Sequence, residues 1–277
     1  MQTDFIRISI SEFHLIATLV KDKLGIHLPD TKLGLVESRL NKELKTRKIQ
    51  GFSEYFKILE GDRSGTELQN LANIISTNHT FFNRENSHFA YFRDKVLPTM
   101  CRAPDINKRK DLRVWCAASS SGEEPIMIMM QMLEYFGMDY NQWTAGLLAT
   151  DISLEVLAKA KKGEYESANL AHLPATQREK YFDQKPNGNF KVVERILKEI
   201  TYARFNLVTG SYQFSKMFHC IFCRNVMIYF DNETKEKVIN NLYNCLVPGG
   251  YLFIGHAESL NGLKHQYQNI QPAVYQK

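Results

Sequence analysis

The chain has 277 residues, 44% of them hydrophobic, and its 35 Lys and Arg against 30 Asp and Glu give a formal net charge of +5. That is enough apolar material for one large domain or for a small domain beside a medium one, and too thin a positive excess for a nucleic-acid surface. No run of about 18 apolar residues occurs, and Met1-Gln2-Thr3-Asp4-Phe5 lacks the basic-then-apolar pattern of a secretory signal, so a cytoplasmic protein without membrane insertion is expected.

The first seventy-odd residues read as helices. Ser9-Ile10-Ser11-Glu12 has the form of a capping box, and Phe13, Ile16, Ala17, Val20 and Leu24 follow at helical spacing before Gly25. Asp30 or Thr31 can cap a second helix carrying Leu33, Val36, Leu40 and Leu44, with shorter helices at about 52–59 and 68–76. This second helix bears Arg39, Lys42, Lys45, Arg47 and Lys48, opposed near its end only by Glu43. Such a run is either a solvated face or a surface for an acidic protein helix. A helical domain is expected over 1–76 and a second domain over 77–277.

Thr77-Asn78-His79-Thr80-Phe81-Phe82-Asn83-Arg84-Glu85 links the two, either as a plain linker with a capped helix start or as a polar cover over a ligand, with Arg84 able to grip a carboxylate in two places. From Asp111 the pattern becomes alternating strands and helices: a strand at 112–117, a helix at 124–136, a strand at 143–150 and a helix at 153–161. The loop Ala117-Ala118-Ser119-Ser120-Ser121-Gly122-Glu123-Glu124-Pro125 follows the first strand. Its small residues let a ligand approach the backbone, while two carboxylates stand where a pyrophosphate would need bare amides. Asp151 ends the second strand, where it can take a ribose diol or simply cap the next helix. An acidic loop with a ribose acid points to a nucleoside without phosphate, and S-adenosylmethionine has that chemistry.

Residues 163–200 fit the alternation poorly. A short helix from Leu173-Pro174-Ala175-Thr176 to Phe182 and the turn Pro186-Asn187-Gly188-Asn189 predict a small antiparallel insertion. A strand at 218–223 then delivers Arg224, Asn225 and Tyr229 in Phe222-Cys223-Arg224-Asn225-Val226-Met227-Ile228-Tyr229-Phe230, either as one wall of a ligand site held by Val226, Met227 and Ile228, or as ordinary core with Arg224 capping a neighbouring carboxylate. A helix at 232–246, the turn Val247-Pro248-Gly249-Gly250 and a strand at 251–255 complete a doubly wound α/β sheet. The five cysteines, at 101, 116, 220, 223 and 245, suit a reducing compartment; Cys220 and Cys223 beside His219 lack a second pair of ligands, and no metal is expected.

Taken in order, Asn78-x-Thr80-x-x-x-Arg84, the Trp115–Pro125 segment, Ala149-Thr150-Asp151-Ile152, Phe205-Asn206-Leu207, the Phe222–Phe230 segment and Pro248-Gly249-Gly250-Tyr251-Leu252-Phe253-Ile254-Gly255-His256-Ala257-Glu258-Ser259 resemble the CheR family of chemotaxis receptor methyltransferases. The resemblance implies an S-adenosylmethionine-dependent methyltransferase sheet with an N-terminal all-helical domain and a β insertion. It also implies methyl transfer to glutamate side chains on the cytoplasmic domain of membrane chemoreceptors, by a monomer, leaving S-adenosylhomocysteine. Carried over singly, Asp151 takes the ribose, Asn206 and Leu207 the adenine side, Asn78, Thr80 and Arg84 the methionine end or the incoming glutamate, and Tyr229 lies beside the methyl. Glu123, Glu124, Arg224 and Asn225 complete the cofactor lining, and the basic helix becomes a docking face. Asn83 stands where the family usually has an aromatic, and the hairpin at Asn187-Gly188 is shorter than in members that tether a receptor's C-terminal pentapeptide, which speaks against tethering. A methyltransferase for another substrate, and a signalling module that binds S-adenosylmethionine, are the alternative readings.

Overall fold

The computed structural model describes residues 5–75 and 80–277, which form two compact units. One comprises Met1–Thr77 with Tyr229–Thr234, the other Asn78–Ile228 with Lys235–Lys277.

In the first unit α1 spans Ile10–Leu24, opened by the reciprocal Ser9/Glu12 capping box and closed by Gly25 in a left-handed conformation (φ 73°). A single 3-10 turn, Asp30–Lys32, runs directly into α2, Leu33–Arg47. Neither Asp30 nor Thr31 therefore caps that helix: the residue before it is Lys32, already helical, and Asp30 instead meets His14 at 2.9 Å. Helices α3 (Phe52–Gly61) and α4 (Thr66–Ile75) complete the bundle around Phe13, Ile16, Val20, Leu40, Leu44 and Tyr55.

The second unit begins with α5 (Asn86–Tyr91), a π-helical turn (Phe92–Val96), α6 (Leu97–Arg102) and α7 (Pro104–Arg109). The α/β part then runs β1 (Asp111–Cys116), α8 (Glu123–Phe136), β2 (Thr144–Asp151) and α9 (Leu154–Lys162). Next come β3 (Glu164–Tyr165), α10 (Ala175–Tyr181), β4 (Phe182–Gln184), β5 (Phe190–Val192) and α11 (Glu194–Leu197). The chain ends with β6 (Ile200–Arg204), β7 (Phe218–Phe222), α12 (Asn232–Cys245), β8 (Leu246–Phe253), β9 (Gln268–Gln271) and β10 (Val274–Gln276).

The main sheet has the order β6-β2-β1-β7-β8-β10-β9, parallel except for β10, which runs against both neighbours. From β1 the chain winds outward to β2 and β6, then returns to β7 on the other side of β1. The crevice beyond the carboxyl ends of β1 and β7 is thus the topological switch point, where such sheets bind ligands. Strands β3, β5 and β4 form the antiparallel insertion. α8 is buried along nearly its whole length, and Phe222 stacks on Phe253 at 4.3 Å between β7 and β8. All five cysteines are free thiols buried in packed surroundings.

Three expectations change. The strand before the Arg-Asn pair stops at Phe222, and Ile228 is 49% exposed, so only Met227 of the three wall residues is buried. β8 starts at Leu246: Phe218 pairs with Leu246 and Cys220 with Tyr251, so Val247-Pro248-Gly249-Gly250 is a bulge inside the strand. Strands β3, β6, β9 and β10 and the helices from 86 to 109 have no counterpart in the sequence reading.

Two histidines of this unit are held neutral. Burial first, and then the Arg224 and His256 charges, push His88 down to about 3. Burial first, with Arg113 adding to it, pushes His219 down to about 4, and the His219 Nδ1 accepts the Arg113 N–H at 2.9 Å. Their folded pKa lies below the unfolded one, so their contribution is present above pH of about 6.5 and is lost as pH falls. Between pH 6.5 and 5 each is expected to withdraw about 2 kcal/mol. Urea midpoints at pH 7.5 and 5 should show this loss, and His88→Phe should remove about half of it.

Candidate active site

The loop after β1 is folded back on its neighbours by its own backbone. Ala117 N–H donates to the Phe222 carbonyl at 2.7 Å, Ser119 N–H to the Thr150 carbonyl at 2.9 Å, and Ser120 N–H to Asp151 Oδ2 at 2.8 Å. Gly122 has φ 102°, and a Cβ there would stand 2.8 Å from the Tyr165 hydroxyl and 2.9 Å from Ala160 Cβ. Glycine is therefore demanded by the close approach of α9 and β3, not only by a ligand.

Asp151 joins three loops. Its carboxylate accepts Ser120 N–H and, at 3.0 Å, Ser153 N–H, while its carbonyl accepts Phe205 N–H at 3.0 Å from the loop after β6. The cap of α9 is Ser153 itself, whose hydroxyl accepts Val156 N–H. Burial raises the Asp151 pKa, opposed by the backbone donors. In the β6 loop Asn206 Oδ1 accepts Val208 N–H at 2.8 Å, and Leu207 is buried with its carbonyl taken by the Tyr212 hydroxyl.

A second cluster surrounds Arg224, whose side chain is wholly buried. It meets Glu124 at 2.7 Å and Glu85 at 3.0 Å and donates to the Arg84 carbonyl at 2.7 Å. Asn225 Nδ2 donates to the other Glu85 oxygen at 3.1 Å. Burial raises Glu124 against the pull of Arg224, whereas in Glu85 the burial effect is outweighed by Arg224 and Asn225 and the pKa falls. Glu123, one residue before Glu124, faces another way: Ser121 donates to it at 2.7 Å, and burial raises it.

The structure thus brings Glu124, Arg224, Asn225 and the Arg84 backbone into one network, and Asp151 together with the loops that carry Ser120 and Asn206. Thr80 and Arg84 are half-buried, with the Arg84 guanidinium 5.9 Å from the Phe81 ring centre. Asn78 lies outside the described residues. Tyr229 falls in the helical unit, where its carbonyl accepts His27 N–H at 2.7 Å. Asn83 takes a left-handed conformation (φ 65°) and donates to the His172 carbonyl, which an aromatic at that position would do neither as easily. Of the seven non-glycine residues with positive φ among the described residues, four, Asn83, Glu85, Ser120 and Asn225, sit in these loops, so backbone strain gathers at the site.

On α2 the basic residues divide. Arg39 donates to the Ile74 and Ile75 carbonyls at the end of α4, and Arg47 forks onto Glu67 at 2.5 and 2.9 Å. Lys42, Lys45 and Lys48 are exposed.

Sequence reasoning missed Glu85 and Glu258. Both stand inside quoted segments, but nothing in their spacing announces partners 139 and 33 residues away. Glu85, His88 and His256 bring three metal-ligating atoms within 4.8 Å of one another. The Arg224 guanidinium already holds that carboxylate, which disfavours a second cation.

The Ser119, Ser120 and Tyr202 hydroxyls are buried with no protein partner. Buried hydroxyls beside a buried carboxylate suit a nucleoside with free ribose hydroxyls, and the acidic loop does not suit a polyphosphate. The residues present fit S-adenosylmethionine.

A family model described as "CheR methyltransferase, SAM binding domain" matches residues 78–275, and one described as "CheR methyltransferase, all-alpha domain" matches residues 11–76. The chain belongs to the CheR methyltransferase family. It is 38% identical over 272 residues to the chemotaxis protein methyltransferase of Borreliella burgdorferi, covering 98% of this chain and 96% of that one. A probable chemotaxis protein methyltransferase of Rhizobium etli is 34% identical over 93% of this chain and 96% of its own. The chemotaxis protein methyltransferase of Escherichia coli is 32% identical over 99% of this chain and 93% of its own. The resemblance drawn from the motifs therefore holds, and this CheR methyltransferase is an S-adenosylmethionine-dependent chemotaxis methyltransferase. Among the described residues no helix is long and apolar enough to cross a membrane.

Proposed function

We propose that this CheR methyltransferase methylates glutamate side chains on the cytoplasmic helices of membrane chemoreceptors, acting in the cytoplasm and forming glutamyl methyl esters. The observation that carries this reading is the match, nearly end to end, to relatives named as chemotaxis protein methyltransferases. A glutamate with a pKa of about 4.3 is already ionised near neutral pH, so no strong general base is needed. S-adenosylmethionine, when bound, supplies a methyl group on a sulfonium cation. Because the opposite charges of acceptor and donor both diminish during transfer, the chain's work is to align them and to exclude water.

In this reading Asp151 would hold the ribose, Asn206 and Leu207 the adenine side, and Asn78, Thr80 and Arg84 the methionine end or the acceptor carboxylate. Tyr229 would position the methyl, and Glu123, Glu124, Arg224 and Asn225 would shape the lining. Residues 1–76 would form the docking domain and 77–277 the transferase domain.

A guanidinium offers donors and no acceptor, so Arg84 can only position. Arg84→Ala is expected to cut transfer or donor binding at least about tenfold, read in a radiolabel assay, because a charge-assisted contact of about 1.5 kcal/mol or more is lost. Reversing Lys42, Lys45 and Lys48 to glutamate should raise the receptor KM and leave the donor Kd alone; an unmoved KM would make α2 a merely solvated face.

The deciding experiment incubates the chain with methyl-labelled S-adenosylmethionine and receptor cytoplasmic fragments. An ester releases its label in mild alkali. Label that survives alkali, or never appears, sinks the glutamate assignment.

A further inference from the structure

Glu258 lies in the loop after β8 with its carboxylate turned onto the main chain. Oε2 accepts the Gly255 N–H at 2.6 Å and the Asn225 N–H at 2.9 Å, and Oε1 accepts those of Met227 at 2.7 Å and Ile228 at 3.2 Å. Four backbone donors, from the loops ending the adjacent strands β7 and β8, therefore converge on one side chain. Three of them lie beyond Cys223, whose N–H makes a last bond to the Phe253 carbonyl at 2.8 Å, so the loop has left the sheet where Glu258 takes hold of it. The conformation held is a strained one, with Asn225 at φ 57°.

Gly255 belongs to the same device. A Cβ there would run into Asn225 Nδ2 and stand 2.9 Å from Glu258 Oε2, so carboxylate and loop meet only across a glycine. The grip is passed on: Asn225 donates to Glu85, Glu85 takes Arg224, and Arg224 holds the Arg84 carbonyl.

We propose that Glu258 is a positioning residue for S-adenosylmethionine binding. Its carboxylate sets the Asn225–Ile228 loop and, through Asn225, Glu85 and Arg224, the segment carrying Arg84. The inference rests on the reading that these segments line the cofactor site.

Amide exchange on the wild-type chain tests the geometry directly. The N–H groups of Asn225, Met227 and Ile228 should exchange at least about 100-fold more slowly than unstructured amides, although Ile228 is half-exposed. Free exchange there overturns the proposal. Glu258→Gln keeps the shape but replaces one accepting oxygen with a donor facing two N–H groups. At a temperature where near-ultraviolet circular dichroism shows variant and wild type folded, calorimetry should give a donor Kd raised at least about tenfold. A lowered melting midpoint with an unchanged Kd assigns Glu258 a structural role only and overturns the proposal. Gly255→Ala crowds the seat while keeping the carboxylate, and should weaken donor binding in the same direction; if Glu258→Gln cannot be obtained folded, an unchanged Kd in Gly255→Ala is decisive against. Donor binding is read without any receptor, so the result is independent of the acceptor. Weakened binding in Arg84→Ala with none in Glu258→Gln refutes the Glu258 role alone, whereas no change in either refutes the placement of the cofactor as well.

Discussion

Replacing Arg224 by methionine is expected to destabilise the sheet unit by about 3–5 kcal/mol, lowering its melting midpoint by roughly 10 °C. Methionine fills much of the arginine's volume, so the loss is electrostatic. Glu124 at 2.7 Å and Glu85 at 3.0 Å, each largely shielded from solvent, would be left without their cation, and the Arg84 carbonyl would lose its donor. Arg224→Lys should fall in between, since an ammonium cannot fork between two carboxylates and a carbonyl in the same way. Adding Glu124→Gln to Arg224→Met should recover a sizeable part of the loss, because an unpaired buried charge has been removed along with its partner. If the single variant melts with the wild type, the Arg224 network does not hold the unit together.

Asp151→Asn should raise the S-adenosylmethionine Kd at least about tenfold by calorimetry, with a much smaller effect on the melting midpoint. Asparagine keeps one acceptor for Ser120 or Ser153 but sets an NH2 against the other N–H, so the loops after β1 and β2 part slightly just where a ribose diol would need two acceptors. Burial raises the Asp151 pKa, so wild-type affinity should begin to fall on acidification at a higher pH than an exposed aspartate would set. An unchanged Kd in the asparagine variant would remove Asp151 from the ribose.

Local signals made much of this legible. The Ser9/Glu12 box and Gly25 delimit α1 because capping and left-handed exits depend on single residues, and β1 and β2 show as apolar runs between turns. What escaped depends on partners far along the chain. β9 is Gln-Asn-Ile-Gln, an exposed edge whose strand character comes only from pairing with β10. Val247-Pro248-Gly249-Gly250 has every mark of a turn, yet the register between β7 and β8 absorbs it as a bulge. At the site, the residue types and loops were readable, and so was a carboxylate partner for Arg224 as one of two readings, but not that the partners are Glu85 and Glu124, since ion pairing across 100 and 139 residues leaves no trace in spacing.

The burial of all five thiols makes the chain silent toward a cysteine-reactive dye while it stays folded. A single cysteine placed on an exposed position such as Lys45 would then react alone, carrying a fluorophore or cross-linker to one known point of α2. Conversely, in the unaltered chain the rate of dye uptake would count openings of the core around Cys116, Cys220 and Cys223, turning five inert side chains into a clock for native-state breathing.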